Sequence, residues 1–234
     1  MNRPAKPRVL VCDDEPQILR ALRVILRDAG YEAVPASTGE EALDAAAVAR
    51  PDAAILDLVL PDIDGIELCR RLREWTDMPV IVLSAVGDED AKVRALAAGA
   101  DDYVTKPFGP RELIARLEAN LRRIEPDPEP SVIATGELEV DLAARTVRRA
   151  GEEVHLTPTE FDLLRLLARN RGRLMTHRDL LVAVWGPGYS DDTQVLRAHI
   201  ANLRRKIESP GEPGATNGPK YIRTDPGVGY RFAA

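Results

Sequence analysis

The first half of this chain alternates short apolar runs with amphipathic helical stretches, and that alternation limits the fold most. The runs cover residues 9–12, 32–35, 53–58, 80–83 and 103–104. Between them apolar residues recur three and four apart, as in Ile18, Leu19, Leu22, Ile25 and Leu26. That is the period of a helix with one buried face. Five strands alternating with five helices predict an α/β unit, a five-stranded parallel doubly wound sheet with helices on both faces. The runs AAILDL and VIVL are apolar throughout, as strands covered on both sides must be.

In such a sheet ligands bind beyond the carboxyl ends of the strands, where the strand order reverses. Asp13 and Asp14 follow the first run, Asp57 closes the third, Ser84 closes the fourth, and Lys106 follows the fifth. Four strands thus send polar groups to one edge of an apolar sheet. Three crowded carboxylates repel one another unless a cation is present, and an all-oxygen set suits Mg²⁺. An aspartate carboxylate is also a nucleophile for phosphoryl groups, whose transferring charge a metal, an ammonium and a hydroxyl can stabilise. Asp57 is then the nucleophile, Asp13 and Asp14 hold the metal, and Lys106 and Ser84 bind the phosphate oxygens. A plainer reading competes at Asp13 and Asp14, either of which could cap a helix starting near Pro16. An Asp-nucleophile phosphatase is a further alternative. Such an enzyme needs a general acid, and Val59 stands at the natural place for one, two residues after Asp57.

The EPDPEP stretch marks an extended, solvated linker over residues 125–134, between domains at 1–124 and 135–234. Beyond it, residues 136–156 read as short strands. Helical patterns follow over 158–170, 176–185 and 192–207, and a strand–DPG–strand hairpin closes the chain. This is an α+β pattern. The net charge of −6 is unevenly shared: residues 1–130 carry 17 basic and 25 acidic side chains, residues 131–234 carry 15 and 13. The second half, at +2, can bind nucleic acid if its arginines share a face. In the last helical stretch Leu196, Ile200, Leu203 and Ile207 mark the buried side. Arg197, Ala201 and Arg204 fall opposite, flanked by Asn202 and Arg205, as on a helix that enters a major groove. A merely solvated basic face is the plainer alternative. No apolar run is long enough to span a bilayer, no signal peptide opens the sequence, and Cys12 and Cys69 read as buried thiols. A cytoplasmic location and no membrane partner are expected.

The segments VLVCDDE, ILDLVLPDIDG, VIVLSA and GADDYVTKPF resemble the receiver domains of two-component response regulators. That resemblance implies Asp57 as phosphoacceptor and Asp13, Asp14 and the Val59 carbonyl as Mg²⁺ ligands beside it. It also implies Ser84 and Lys106 as switch hydroxyl and lysine, Tyr103 as the aromatic that rotates inward, and a sensor histidine kinase as phosphate donor. The second half is similar to the OmpR/PhoB-type winged helix in LTPTEFDLLRLLARNRGRLMTHRDLLVAVWG, HIANLRRKIE and YIRTDPGVGYRF. This implies recognition of double-stranded DNA at direct repeats by Thr193, Arg197, Ala201, Asn202, Arg204 and Arg205, and a wing contributing Arg223 and Thr224. Residues 185–191 would face RNA polymerase. Pro226 stands where the wing often carries an arginine. The resemblance further implies a homodimer on phosphorylation, with ion pairs Lys92–Glu112 and Asp102–Arg116; Ala97 replaces an acid of a third pair. The stretches REWTDMPVIVLSA, KPFG, WGP and RTDPGVGYRF look closest to the KdpE-type regulators of potassium-transport genes. A DNA binder indifferent to phosphorylation is the remaining alternative. Val59 and Val86, two residues past Asp57 and Ser84, also predict slow hydrolysis of the acyl phosphate.

Overall fold

The structure, a computed structural model, describes residues 6–85, 89–122, 132–208 and 220–233. Val86 and most of the expected linker lie outside the described residues. Two compact units divide between Leu121 and Arg122.

The first unit runs β1 (Arg8–Cys12), α1 (Pro16–Asp28), β2 (Glu32–Ala36), α2 (Gly39–Ala49) and β3 (Ala53–Asp57). It continues with α3 (Gly65–Arg73), β4 (Val80–Ala85), α4 (Glu89–Ala97), β5 (Asp102–Lys106) and α5 (Pro110–Arg122). The sheet is parallel with strand order β2-β1-β3-β4-β5, so the reversal falls between β1 and β3. The expected doubly wound fold is present. On one face Leu22 and Leu26 of α1 and Leu113 and Leu117 of α5 pack with Val9, Val11, Ile55, Ile81, Leu83 and Val104. Each buried leucine contributes about 1.5–3 kcal/mol of transfer free energy. Helix starts follow local chemistry: Thr38 Oγ1 accepts from Glu41 N at 3.2 Å to open α2, and Asp64 Oδ1 accepts from Ile66 N at 2.7 Å to open α3. A Cβ on Gly65 would lie 2.1 Å from the Asp57 carbonyl oxygen, so α3 starts against the end of β3 only because that residue is glycine.

The second unit opens with an antiparallel meander of β6 (Val132–Thr135), β7 (Leu138–Asp141), β8 (Thr146–Arg149) and β9 (Glu152–Glu153). Then come α6 (Pro158–Arg169), β10 (Leu174–Thr176), α7 (His177–Trp185), a 3-10 turn (Pro187–Tyr189), α8 (Thr193–Ile207), β11 (Ile222–Asp225) and β12 (Gly229–Phe232). A Thr157–Glu160 capping box opens α6, and Lys206 of α8 donates to Glu160 Oε2 at 2.6 Å. Two expectations need correction. Val132–Thr135 is a strand paired with β7, so the last residues of the expected 125–134 linker are folded. Leu174–Thr176, unforeseen as a strand, pairs with β12 and makes the terminal hairpin three-stranded. That pairing requires Gly229, where a Cβ would meet the Met175 carbonyl oxygen at 1.9 Å.

Candidate functional site

The strand ends bring Asp13, Asp14 and Asp57 together, with a ligand oxygen from each within 4.8 Å of the others. Asp13 and Asp57 are buried and Asp14 is exposed. Lys106, the last residue of β5, sends its ammonium between the two buried acids, 2.7 Å from Asp13 Oδ2 and 2.8 Å from Asp57 Oδ2. Burial opposes that charge, but the hydrogen bonds to Asp13 and Asp57 outweigh it and hold the lysine pKa above its ordinary value. The other Asp57 oxygen, Oδ1, accepts from Leu58 N at 2.8 Å. Asp13 does not cap α1: the N-cap is Glu15, without a side-chain bond, while Asp13 Oδ1 accepts from Glu15 N at 2.9 Å. Ser84 lies one register position past Leu83, the partner of Asp57. Its hydroxyl is buried and has no hydrogen-bond partner among the described residues. Val59 is exposed, so its side chain does not wall the pocket. Cys12, the residue before Asp13, is an inert thiol; burial first, then the neighbouring carboxylates, push its pKa up to about 12.

Beside this pocket Tyr103 lies between two cations, with Lys92 Nζ 4.8 Å and the Arg116 guanidinium carbon 5.9 Å from its ring centroid. Asp102 is fully buried and accepts from Arg116 at 3.1 Å. Arg116 also bonds Glu112 at 3.1 Å, and Lys92 bonds Glu89 rather than Glu112. The expected charges are therefore assembled within one chain, and Lys92 and Asp102 are not solvated surface.

On α8 the expected core residues Leu196, Ile200, Leu203 and Ile207 are all buried. Gln194, Arg197, Ala201 and Arg205 form the exposed stripe, with Thr193 half-buried at its start. Gln194 was missed by sequence reasoning, although it lies one turn before Arg197 on the same face. Asn202 corrects the expected DNA face: it is buried and accepts from Arg205 at 2.9 Å. Arg204 is partly withdrawn as well. It donates to the Ile222 carbonyl at 3.1 and 2.7 Å and to Thr224 Oγ1 at 2.8 Å. Burial lowers its pKa from the usual arginine value, and burial raises that of Tyr230 beneath it. Arg223, Thr224 and Pro226 are exposed on the wing hairpin. In the 185–191 segment Trp185 and Tyr189 are buried, leaving Pro187, Gly188 and Asp191 exposed.

Residues 9–118 match the response regulator receiver domain, and residues 151–232 match the C-terminal domain of transcriptional regulatory proteins. The chain belongs to the two-component response regulators that join a receiver to an OmpR/PhoB-type DNA-binding domain, and it is a regulator of transcription. It is 54% identical over 228 residues to "Transcriptional regulatory protein KdpE" of Mycobacterium tuberculosis (strain ATCC 25618 / H37Rv), covering 97% of this chain and 99% of the relative. Identity to "KDP operon transcriptional regulatory protein KdpE" of Escherichia coli (strain K12) is 47%, over 96% and 98% of the two chains. Among solved structures, a mutant of RitR superposes with a TM-score of 0.77 at 26% identity, covering 97% of this chain and 98% of that one. The Thermotoga maritima OmpR/PhoB homolog DrrB gives 0.52 at 33% identity, over 98% and 100%.

Proposed function

We propose that a sensor histidine kinase phosphorylates Asp57, and that phosphorylation promotes dimerisation and sequence-specific binding of double-stranded DNA at direct repeats. The KdpE relatives support potassium-transport genes as the target. The carrying observation is the Lys106 ammonium bridging Asp13 and Asp57, which presents a nucleophilic carboxylate beside a fixed cation. The oxygen-only cluster of Asp13, Asp14 and Asp57 fits Mg²⁺, with the Val59 carbonyl as a further ligand. When bound, the ion neutralises charge on the phosphoryl oxygens. An Asp57 oxygen attacks the phosphorus of a phosphohistidine, and the imidazole leaves as the acyl phosphate forms. Lys106 then exchanges a carboxylate partner for a phosphoryl oxygen, and the buried Ser84 hydroxyl takes another.

Movement of Ser84 frees space for Tyr103 to turn inward, away from the cations of Lys92 and Arg116. Lys92, Asp102, Glu112 and Arg116 then re-pair across a dimer. On DNA, Arg197, Ala201, Arg205 and Thr193 meet the major groove and Arg223 and Thr224 the flanking backbone, with Pro187 and Gly188 turned toward RNA polymerase. Among the described residues no helix is long and apolar enough to cross a membrane, which suits a cytoplasmic regulator. The chain accepts phosphate once rather than turning over substrate.

The test compares wild type with Asp57→Ala, with and without acetyl phosphate and Mg²⁺, by mass, sedimentation and DNA binding. Phosphate uptake, dimerisation and tighter DNA binding are expected in the wild type alone. DNA binding indifferent to both treatments favours a phosphorylation-independent regulator. Sustained turnover of phosphate esters points to a phosphatase.

A further inference from the structure

We infer that Arg204 and Glu208 are positioning residues that lock the wing hairpin to α8, so that helix and wing meet DNA as one rigid reader. The inference rests on the DNA-binding reading above and adds a role for two residues that need not touch DNA. Arg204 and Glu208 are one turn apart on one side of the helix end, where Glu208 is the C-cap. Glu208 accepts from three consecutive backbone amides: Lys220 N at 2.7 Å, Tyr221 N at 3.0 Å and Ile222 N at 3.0 Å. Arg204 takes the Ile222 carbonyl through two nitrogens and the Thr224 hydroxyl through one of them. Its guanidinium carbon also lies 5.7 Å from the Tyr230 ring centroid on the other wing strand.

Among the described residues β11 is the edge strand of its sheet, paired on one side with β12. An edge strand leaves backbone donors and acceptors to be satisfied elsewhere. Here the side chains of α8 supply that edge: Glu208 holds the N–H of Ile222 and Arg204 holds its C=O. Arg149 Nη1 in turn donates to the Glu208 carbonyl at 3.1 Å, tying the helix end to β8. Charge-assisted bonds of this kind are short and directional. They fix the wing's angle to the helix at its base, whatever path the chain takes between Glu208 and Lys220. A register set this way matters because phosphate contacts position a reader while base contacts specify sequence.

Charge counting and clamping predict different outcomes, so the two can be separated. A direct phosphate ligand contributes to counterion release, and its removal flattens the salt dependence of binding by about one unit. A clamp residue changes affinity and leaves that slope in place. Glu208 is sharper still. Deleting an acid beside DNA strengthens binding on charge alone, whereas loosening the clamp weakens it.

The experiment uses the full chain, treated with acetyl phosphate, and a duplex that the wild type selects from a randomised pool. Binding is measured across a KCl series, with protection of the duplex backbone read by footprinting. Arg204→Met is expected to bind about tenfold more weakly, the equivalent of one or two hydrogen bonds, with an unchanged slope and lost protection at the wing flank. Arg204→Lys should recover part of the affinity. Glu208→Gln should bind about threefold more weakly, since it keeps an acceptor but loses the charge. Arg197→Ala is the comparator and should flatten the slope. The clamp is overturned if Arg204→Met flattens the slope as Arg197→Ala does, or if Glu208→Gln binds more tightly. If Arg197→Ala changes neither affinity nor slope, the DNA-binding reading of α8 fails instead. Should Arg204→Met not fold by circular dichroism, Arg204→Lys and Glu208→Gln carry the same readouts.

Discussion

The receiver pocket and the end of α8 both gather charge at the edge of a sheet, yet they use it in opposite ways. In the pocket a single ammonium with 21% of its side chain exposed serves two carboxylates, at 0% and 10%. On α8, Arg197 and Arg205 face solvent while the arginine between them is bonded to a neighbouring strand. Buried charge needs a partner at fixed distance, so the pocket is a piece of geometry that a new phosphoryl group can disturb. Exposed charge keeps its hydration and acts by summation, as a surface for a polyanion should. One unit is therefore built to switch and the other to grip.

The contrast is tested most strongly at Lys106. Lys106→Met leaves Asp13 and Asp57 close together without their cation. A fully buried pair broken this way costs about 3–5 kcal/mol, and the partly open pocket reduces that to about 2 kcal/mol without Mg²⁺. Millimolar Mg²⁺ should return much of it by binding the folded state alone. The pH dependence has a definite sign. The folded pKa of Lys106 lies above its ordinary 10.5. Its contribution is complete below the unfolded value and is lost as pH rises through the folded one. Urea unfolding of both proteins should show a constant gap from pH 7 to 10 that narrows above pH 10.5. A gap that persists into stronger alkali would break the assignment of that cation to the acids.

Asn202 tests the other side of the comparison, with a smaller effect. Asn202→Ala should cost the second unit about 1 kcal/mol in thermal or urea unfolding, because a buried amide loses its bonds. The salt slope of DNA binding should not move. A flattened slope with unchanged stability would return Asn202 to the DNA face. The residue also shows where sequence reasoning stops. Helical periodicity placed Leu196, Ile200, Leu203 and Ile207 correctly, and strand ends placed Asp13, Asp57 and Lys106, because both depend on local pattern. Asn202 and Arg204 lie on the flank of the helix, and whether a flank is wet depends on which strand covers it. That strand, β11, is fixed by pairing with β12, which itself pairs with the three-residue β10. A strand of three residues has too few positions to show a period. The same limit hid Val132–Thr135 behind a proline-rich stretch, and only its partner β7 makes it a strand.

The smallest expected effect concerns how long the pocket holds its phosphate. Hydrolysis of an acyl phosphate needs a water held in line with the departing oxygen, and valine offers that water no hydrogen bond. Val59 has 76% of its surface exposed, so its bulk does not shield such a water. The expected slowing at Val59 therefore rests on the missing polar atom. Val59→Asn combined with Val86→Asn should therefore shorten the phosphoryl lifetime about threefold, under 1 kcal/mol in barrier, when loss of label is followed in the presence of Mg²⁺. Uptake from acetyl phosphate should be unaffected, because neither side chain supplies the nucleophile or its cation. An unchanged lifetime would place control of hydrolysis with the Lys106 and Ser84 contacts themselves, and would bring the pocket closer to the α8 clamp, where bonded geometry alone sets the behaviour.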